Sequence, residues 1–137
     1  MSVPVYKRSE NKLQALSDTI AAASYVIKMC ENDKIFPKKT RWSMGSRIID
    51  ECISAVVHVR TANKIKIVDE DTFKKRTDLQ RQVLLEFEHL WGIMDLAVSI
   101  YSIPMDKVGV FSSLLLKAEG CVYNWMRSDI RKYTGKS

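Results

Sequence analysis

Apolar residues recur at three- and four-residue spacing along almost the whole chain, and residues that break helices are scarce. Only five glycines and three prolines occur among 137 residues. Spacing of three and four places side chains on one face of an α-helix, and scarce breakers favour a few long elements with short connections. The β-branched run Val56–Val59 lies inside such a helical period. The sequence therefore predicts an all-α chain forming one domain over residues 1–137.

The apolar rows predict four helices, at about 9–32, 43–63, 71–102 and 104–132. Pro37 is expected to end the first helix, and Ser43 to cap the second. Asp69 or Asp71 can cap the third, and Pro104 suits the start of the fourth. Because short connections favour antiparallel neighbours, we predict an up-down-up-down four-helix bundle.

The second and third predicted helices carry more apolar surface than one bundle core needs. On the second, polar residues fall on one narrow stripe and apolar positions cover more than half the circumference. A surface helix needs an apolar arc of somewhat more than about 100°. After His89 the polar face of the third helix narrows in the same way. We therefore predict a homo-oligomer whose interface includes Ile49, Ile53, Val57, Ile93, Leu96 and Ile100.

Charge is segregated along the chain, which has a formal net charge of +6. Five basic residues and no acid occur from Lys34 to Arg47, whereas four acids and no lysine or arginine occur from Gln82 to Asp106. A basic excess suits a polyanionic partner. A solvated basic surface without a partner is the alternative interpretation.

Two groups of basic residues are candidate nucleic-acid contacts. The first-loop cluster comprises Lys38, Lys39, Arg41 and Arg47. Phe36 and Trp42 flank the first three of these residues, and either ring could stack on bases. In an up-down bundle the second group, here called the far cluster, lies at the opposite end; it comprises Lys74, Lys75, Arg76, Arg127, Arg131 and Lys132. Arg47 faces either a phosphate or Glu51, one helical turn on.

The sequence lacks the usual motifs of catalysis: P-loop, GxGxxG, GxSxG and HExxH. Glu86 and His89 stand three apart, as in di-metal carboxylate bundles, but no second such pair exists. Helical ribonucleases of the HEPN type need an arginine four to six residues before a histidine; neither His58 nor His89 has one. We predict that the protein is not an enzyme and binds no metal or cofactor.

The sequence predicts a cytoplasmic protein. No apolar stretch is long enough for a membrane span, and Met1–Glu10 does not read as a signal peptide. Cys30, Cys52 and Cys121 lie far apart within helical apolar patterns. We expect them to be small buried side chains in a reducing compartment.

Two segments resemble the Avd-like four-helix bundle proteins, which are accessory proteins of diversity-generating retroelements and are related to proteins encoded in intervening sequences of bacterial ribosomal RNA. Residues 36–48 are similar to that family's segment FP(R/K)xxRxxLGxRI, and read Phe36-Pro37-Lys38-Lys39-Thr40-Arg41-Trp42-Ser43-Met44-Gly45-Ser46-Arg47-Ile48. Residues 122–128 resemble its closing GGWLKS, although Tyr123-Asn124 replaces the glycines. Length and helix order agree across nearly the whole chain.

The resemblance implies a ring-like homopentamer that binds RNA or DNA and associates with the retroelement reverse transcriptase, supporting mutagenic cDNA synthesis without catalysing it. The same resemblance implies that the motif bases contact the nucleic acid: Lys38, Lys39, Arg41 and Arg47. The reverse transcriptase would meet either this basic surface or acidic residues, such as Glu86, Glu88 and Asp95. The alternative function, from a different class, is a protein–protein adaptor that binds no nucleic acid.

Overall fold

A computed structural model describes the backbone of residues 5–135 and the side chains of residues 12–40 and 42–135. Four long helices make up most of this range: α1 (Val5–Cys30), α2 (Ser46–Lys64), α3 (Glu70–Ile100) and α4 (Met105–Thr134). The described backbone contains no strand, so the all-α prediction is confirmed. None of the described helices is long and apolar enough to cross a bilayer.

The helices form a four-sided bundle in chain order. α1 packs against α2 and α4, and α3 packs against the same two helices. Each helix contributes a buried row at three- and four-residue spacing; on α3 this row contains Val83, Phe87, Leu90, Met94 and Ala97. Trp125 is buried on α4, as its place in the predicted core row implies. The up-down-up-down bundle is confirmed.

The connection between α1 and α2 is held by aromatic packing, and Pro37 does not end the first helix. α1 ends at Cys30, and the carbonyl of Asn32 then accepts hydrogen bonds from the amides of Ile35 and Phe36. Phe36 is fully buried, and its ring packs edge-on against Tyr101 with centroids 5.5 Å apart. The prediction that Phe36 is available for stacking on bases is therefore wrong.

The predicted helix caps are right for α3 and wrong for α2. Asp69 Oδ1 accepts a hydrogen bond from the Thr72 amide at 2.8 Å, and Thr72 Oγ1 accepts one from the Asp69 amide at 3.1 Å. This capping box holds the pKa of Asp69 below its usual value. Ser43 instead lies within a single π-helical turn, Arg41–Gly45, and its hydroxyl donates to the Thr40 carbonyl, so it cannot cap α2.

Candidate nucleic-acid interface

The first-loop cluster lies on the surface where the chain enters α2. Lys38, Lys39 and Arg47 are exposed. The Lys38 ammonium is 3.8 Å from the Asp33 carboxylate, a solvated contact that holds it weakly. The backbone of Arg41 belongs to the π-helical turn, and its side chain lies outside the described residues. Three of the four predicted bases are thus accessible to a phosphate.

Trp42 projects from this turn into solvent and is 91% exposed. Trp42 lines a shallow groove between the first connection and α2, together with Lys38, Ser46, Ile49 and Asp50. Phe36 anchors the same connection in the core. The connection is therefore held in the core by the buried Phe36 ring, while its outer surface carries the exposed Trp42 indole and the Lys38 ammonium group.

Arg47 forms no ion pair with Glu51, its neighbour one turn along α2, among the described side chains. Glu51 is bound instead by His89 of α3, with Nδ1 and Oε1 3.0 Å apart. Of the two interpretations of Arg47, the intrahelical pair is therefore wrong, and the guanidinium is exposed beside the first connection.

The far cluster does lie at the other end of the bundle, where α3 begins and α4 ends. The rings of Phe73 and Tyr133 stack there with centroids 4.2 Å apart. Lys75 is paired with Asp71 one turn earlier at 3.0 Å. Four of its bases are exposed and Arg127 is partly buried; the exposed ones are Lys74, Lys75, Arg131 and Lys132.

Arg76 is not a surface residue, and its assignment as a nucleic-acid contact is wrong. It is only 6% exposed. Its Nε and Nη2 donate to the two carboxylate oxygens of Asp129 at 2.8 and 3.1 Å, and Nη1 donates to the Ile65 carbonyl at 3.0 Å. The guanidinium also lies over the Trp125 ring. Each of its three nitrogens thus donates to a protein partner, and the bonds to Asp129 join α3 to α4.

A further basic groove, which the sequence analysis missed, lies between α1 and α2. Lys12, Arg60 and Lys64 line it around Leu13, Leu16 and Asn63. Burial lowers the pKa of Lys12, and the nearby charge of Arg76 lowers it further. In the sequence, this groove is indicated only by Arg60 and Lys64, which stand four apart on α2. Lys12 comes close to them because α1 and α2 pack antiparallel.

The opposite side of the bundle, between α3 and α4, carries an acidic groove. Glu88 and Glu119 line it with Leu84, Leu116 and Tyr123. Glu119 also accepts a hydrogen bond from the Trp91 indole at 2.8 Å. The groove between α1 and α2 is thus lined by bases, and the groove between α3 and α4 is lined by acids.

Two His–Glu pairs join α2 to α3. Both Glu86 carboxylate oxygens lie within 3.0 Å of His58 Nδ1, and Glu86 is buried. Glu51 and His89 form the second pair. Glu86 and His89, which stand three apart on α3, are thus each bound to a different residue of α2: Glu86 to His58 and His89 to Glu51. Of the three acids named above as candidate protein contacts, Glu86 is buried, whereas Glu88 and Asp95 are exposed.

The six predicted interface residues leave apolar surface uncovered in the single chain. Ile53, Val57, Leu96 and Ile100 are each more than half exposed. Ile49 and Ile93 are partly buried against the core. The excess of apolar surface on α2 and α3 is therefore present in the folded chain.

The three cysteines are free thiols. Burial raises the pKa of Cys30 to about 12 and that of Cys52 to about 12. Burial, and then the charge of Asp18, raises the pKa of the partly exposed Cys121. Since the thiolate is the reactive form, all three remain poorly nucleophilic at neutral pH.

In comparisons with known proteins, no family model, curated protein or solved structure matches this chain. The resemblance of residues 36–48 and 122–128 to the Avd-like proteins therefore stays a prediction.

Proposed function

We propose that this bundle is a non-enzymatic nucleic-acid-binding protein that acts as a cytoplasmic accessory of a retroelement reverse transcriptase. RNA or DNA binds at the first-loop cluster, and copies of the chain associate to multiply that basic surface. The far cluster, without Arg76, and the basic groove between α1 and α2 supply further phosphate contacts.

The observation that supports this proposal most is the composition of the exposed surface at the first connection. Lys38, Lys39 and Arg47 are accessible, and Trp42 stands among them. Lysine and arginine bind phosphates, and an accessible aromatic ring binds bases, so this surface offers both contacts that a nucleic acid needs. In an oligomer, each copy adds the same cations to one electrostatic field.

Nucleic-acid binding is expected to be tight at low salt and to weaken steeply as salt rises. If about six phosphates are neutralised, log affinity falls against log salt with a slope of about −5 for duplex DNA. Fluorescence anisotropy between about 50 and 200 mM salt measures this slope. Replacing Lys38 and Lys39 with glutamine should reduce its magnitude by about 2, because each lost phosphate contact removes about 0.9.

Arg81→Gln is the matched control for these substitutions. Arg81 is exposed and pairs with Asp78 at 3.7 Å, outside both clusters and outside the three grooves described above. Its replacement should leave the slope unchanged. Absence of binding by the unaltered protein at about 50 mM salt, or a slope near zero, would contradict the proposal.

The reverse transcriptase is expected to co-purify with this protein when the two are expressed together with template RNA. The groove between α3 and α4 offers Glu88 to a basic surface on the enzyme, and Asp95 of α3 is also exposed. In that arrangement, Lys38→Glu with Lys39→Glu weakens RNA binding and spares the enzyme complex. If the charge reversal abolishes both, the enzyme meets the first-loop cluster instead. Failure to associate with or without RNA would contradict the retroelement role.

A protein–protein adaptor is the second candidate function. It is favoured by the exposed apolar side chains on α2 and α3, since Leu96 and Ile100 are 53% and 57% exposed. An adaptor would use this surface for a helical partner and would not be retained on a nucleic-acid column at moderate salt. Retention therefore separates the two candidates.

A further inference from the structure

Trp42, beside the first-loop cluster, is unusually exposed for a side chain of its size. An indole in water loses the gain that burial of its large apolar ring would bring. Two other tryptophans of this chain avoid that loss: Trp125 is buried, and Trp91 is partly buried with its indole N–H bound to Glu119. Trp42 is 91% exposed. The packing of Trp42 itself therefore does not explain why the indole is exposed, and the explanation has to come from the residues around it.

Those surroundings combine a rigid support with positive charge. Phe36 and Ile35 are buried and hold the connection in the core, and the Thr40 hydroxyl donates to the Pro37 carbonyl at 2.7 Å. Lys38 lines the groove beside the indole. Asp50 is the acid in that lining, and Lys39 and Arg47 are also exposed nearby in the chain. An exposed aromatic ring beside cations, on a connection anchored in the core, matches a base joined to its phosphate.

We infer that the first-loop cluster is a single-strand site, in which one base of RNA or DNA stacks on Trp42 while Lys38 and its basic neighbours bind the flanking phosphates. This inference rests on the proposed nucleic-acid binding and deepens it. In a duplex, each internal base is covered by its neighbours on both faces and offers no ring to the indole. In a single strand a base can turn outward, and every base has a face that stacks, so binding depends little on sequence.

Replacing Trp42 with alanine tests this inference. Binding of a mixed-sequence 12-nucleotide RNA should weaken by about fivefold to 150-fold, the range expected for loss of one aromatic stacking partner. Binding of the same sequence as a duplex should stay within about twofold. Because stacking releases few counter-ions, the salt slope for the single strand should be unchanged, unlike the slope of the Lys38 and Lys39 variants.

Two further variants keep the test specific. Trp42→Phe preserves an aromatic face and should retain most of the single-strand affinity. Tyr123→Ala removes an exposed aromatic ring from the acidic groove, where phosphates are repelled, and should have no effect. The single strand should also quench the tryptophan emission of the unaltered protein, and that quenching should disappear in Trp42→Phe.

Each contrary result has a distinct meaning. If Trp42→Ala binds the single strand as tightly as the unaltered protein, the stacking site is wrong and phosphate binding stands. Equal losses for single strand and duplex also overturn it. If the variant sediments with a smaller mass, the indole docks on a second copy of the chain, and the inference fails. If the unaltered protein binds neither RNA form, the inference and the proposed function both fail.

Discussion

Replacing Asp129 with alanine is expected to lower the free energy of unfolding by about 3–5 kcal/mol, the usual cost of removing one partner from a buried ion pair. Arg76 and Asp129 are both almost fully buried, and their two hydrogen bonds measure 2.8 and 3.1 Å. The Gln80 amide donates to the same carboxylate at 2.8 Å. Loss of Asp129 leaves a guanidinium charge in the interior with no counter-charge.

Urea denaturation followed by circular dichroism measures this effect, and Asp71→Ala is its matched control. Asp71 pairs with Lys75 at 3.0 Å, but both side chains are exposed. A surface pair contributes about 0–1 kcal/mol, so this variant should unfold almost as the unaltered protein does. The double variant Arg76→Met with Asp129→Leu should recover much of the loss, because it removes both charges. Equal midpoints for Asp129→Ala and Asp71→Ala would show that the buried pair does not stabilise the fold.

The sequence contains the signal for this pair, although the basic run around Arg76 hides it. Arg76 stands seven residues before Val83, on the core row of α3, and Asp129 stands four residues after Trp125, on the core row of α4. Since α3 begins where α4 ends, opposite charges at these two row positions predict a buried pair. Arg76 was assigned to the nucleic-acid surface because it follows Lys74 and Lys75 in the chain. Its position on the buried row of α3 indicates the interior instead.

Helix number, order and apolar faces follow from the sequence because each depends on a local period. The first connection does not, because its conformation depends on contact with a distant residue. Phe36 packs against Tyr101, which lies far along the chain, and Trp42 is left outside. Both aromatics flank the same basic residues, so no local pattern tells which one is buried. The stacking candidate is therefore identified only by tertiary packing.

Replacing Leu96 with glutamate is expected to convert the proposed homo-oligomer into a folded monomer of 15.7 kDa. Leu96 is 53% exposed in the single chain, so a carboxylate there remains hydrated and costs the fold little. Inside an interface the same carboxylate would be buried without a partner, which costs several kcal/mol. Sedimentation velocity at micromolar concentration measures the mass, and circular dichroism checks that helicity is kept.

Two matched variants locate the interface. Val57→Glu places the same charge on the predicted surface of α2, where the side chain is 52% exposed, and it should also dissociate the assembly. Leu116→Glu places it in the acidic groove between α3 and α4, at a side chain 60% exposed. If Leu116→Glu alone yields monomers, the acidic groove belongs to the interface between copies, and the predicted interface on α2 and α3 is wrong. If the unaltered chain is already a monomer, the exposed apolar surface of α2 and α3 is left for a different protein, as in the adaptor function.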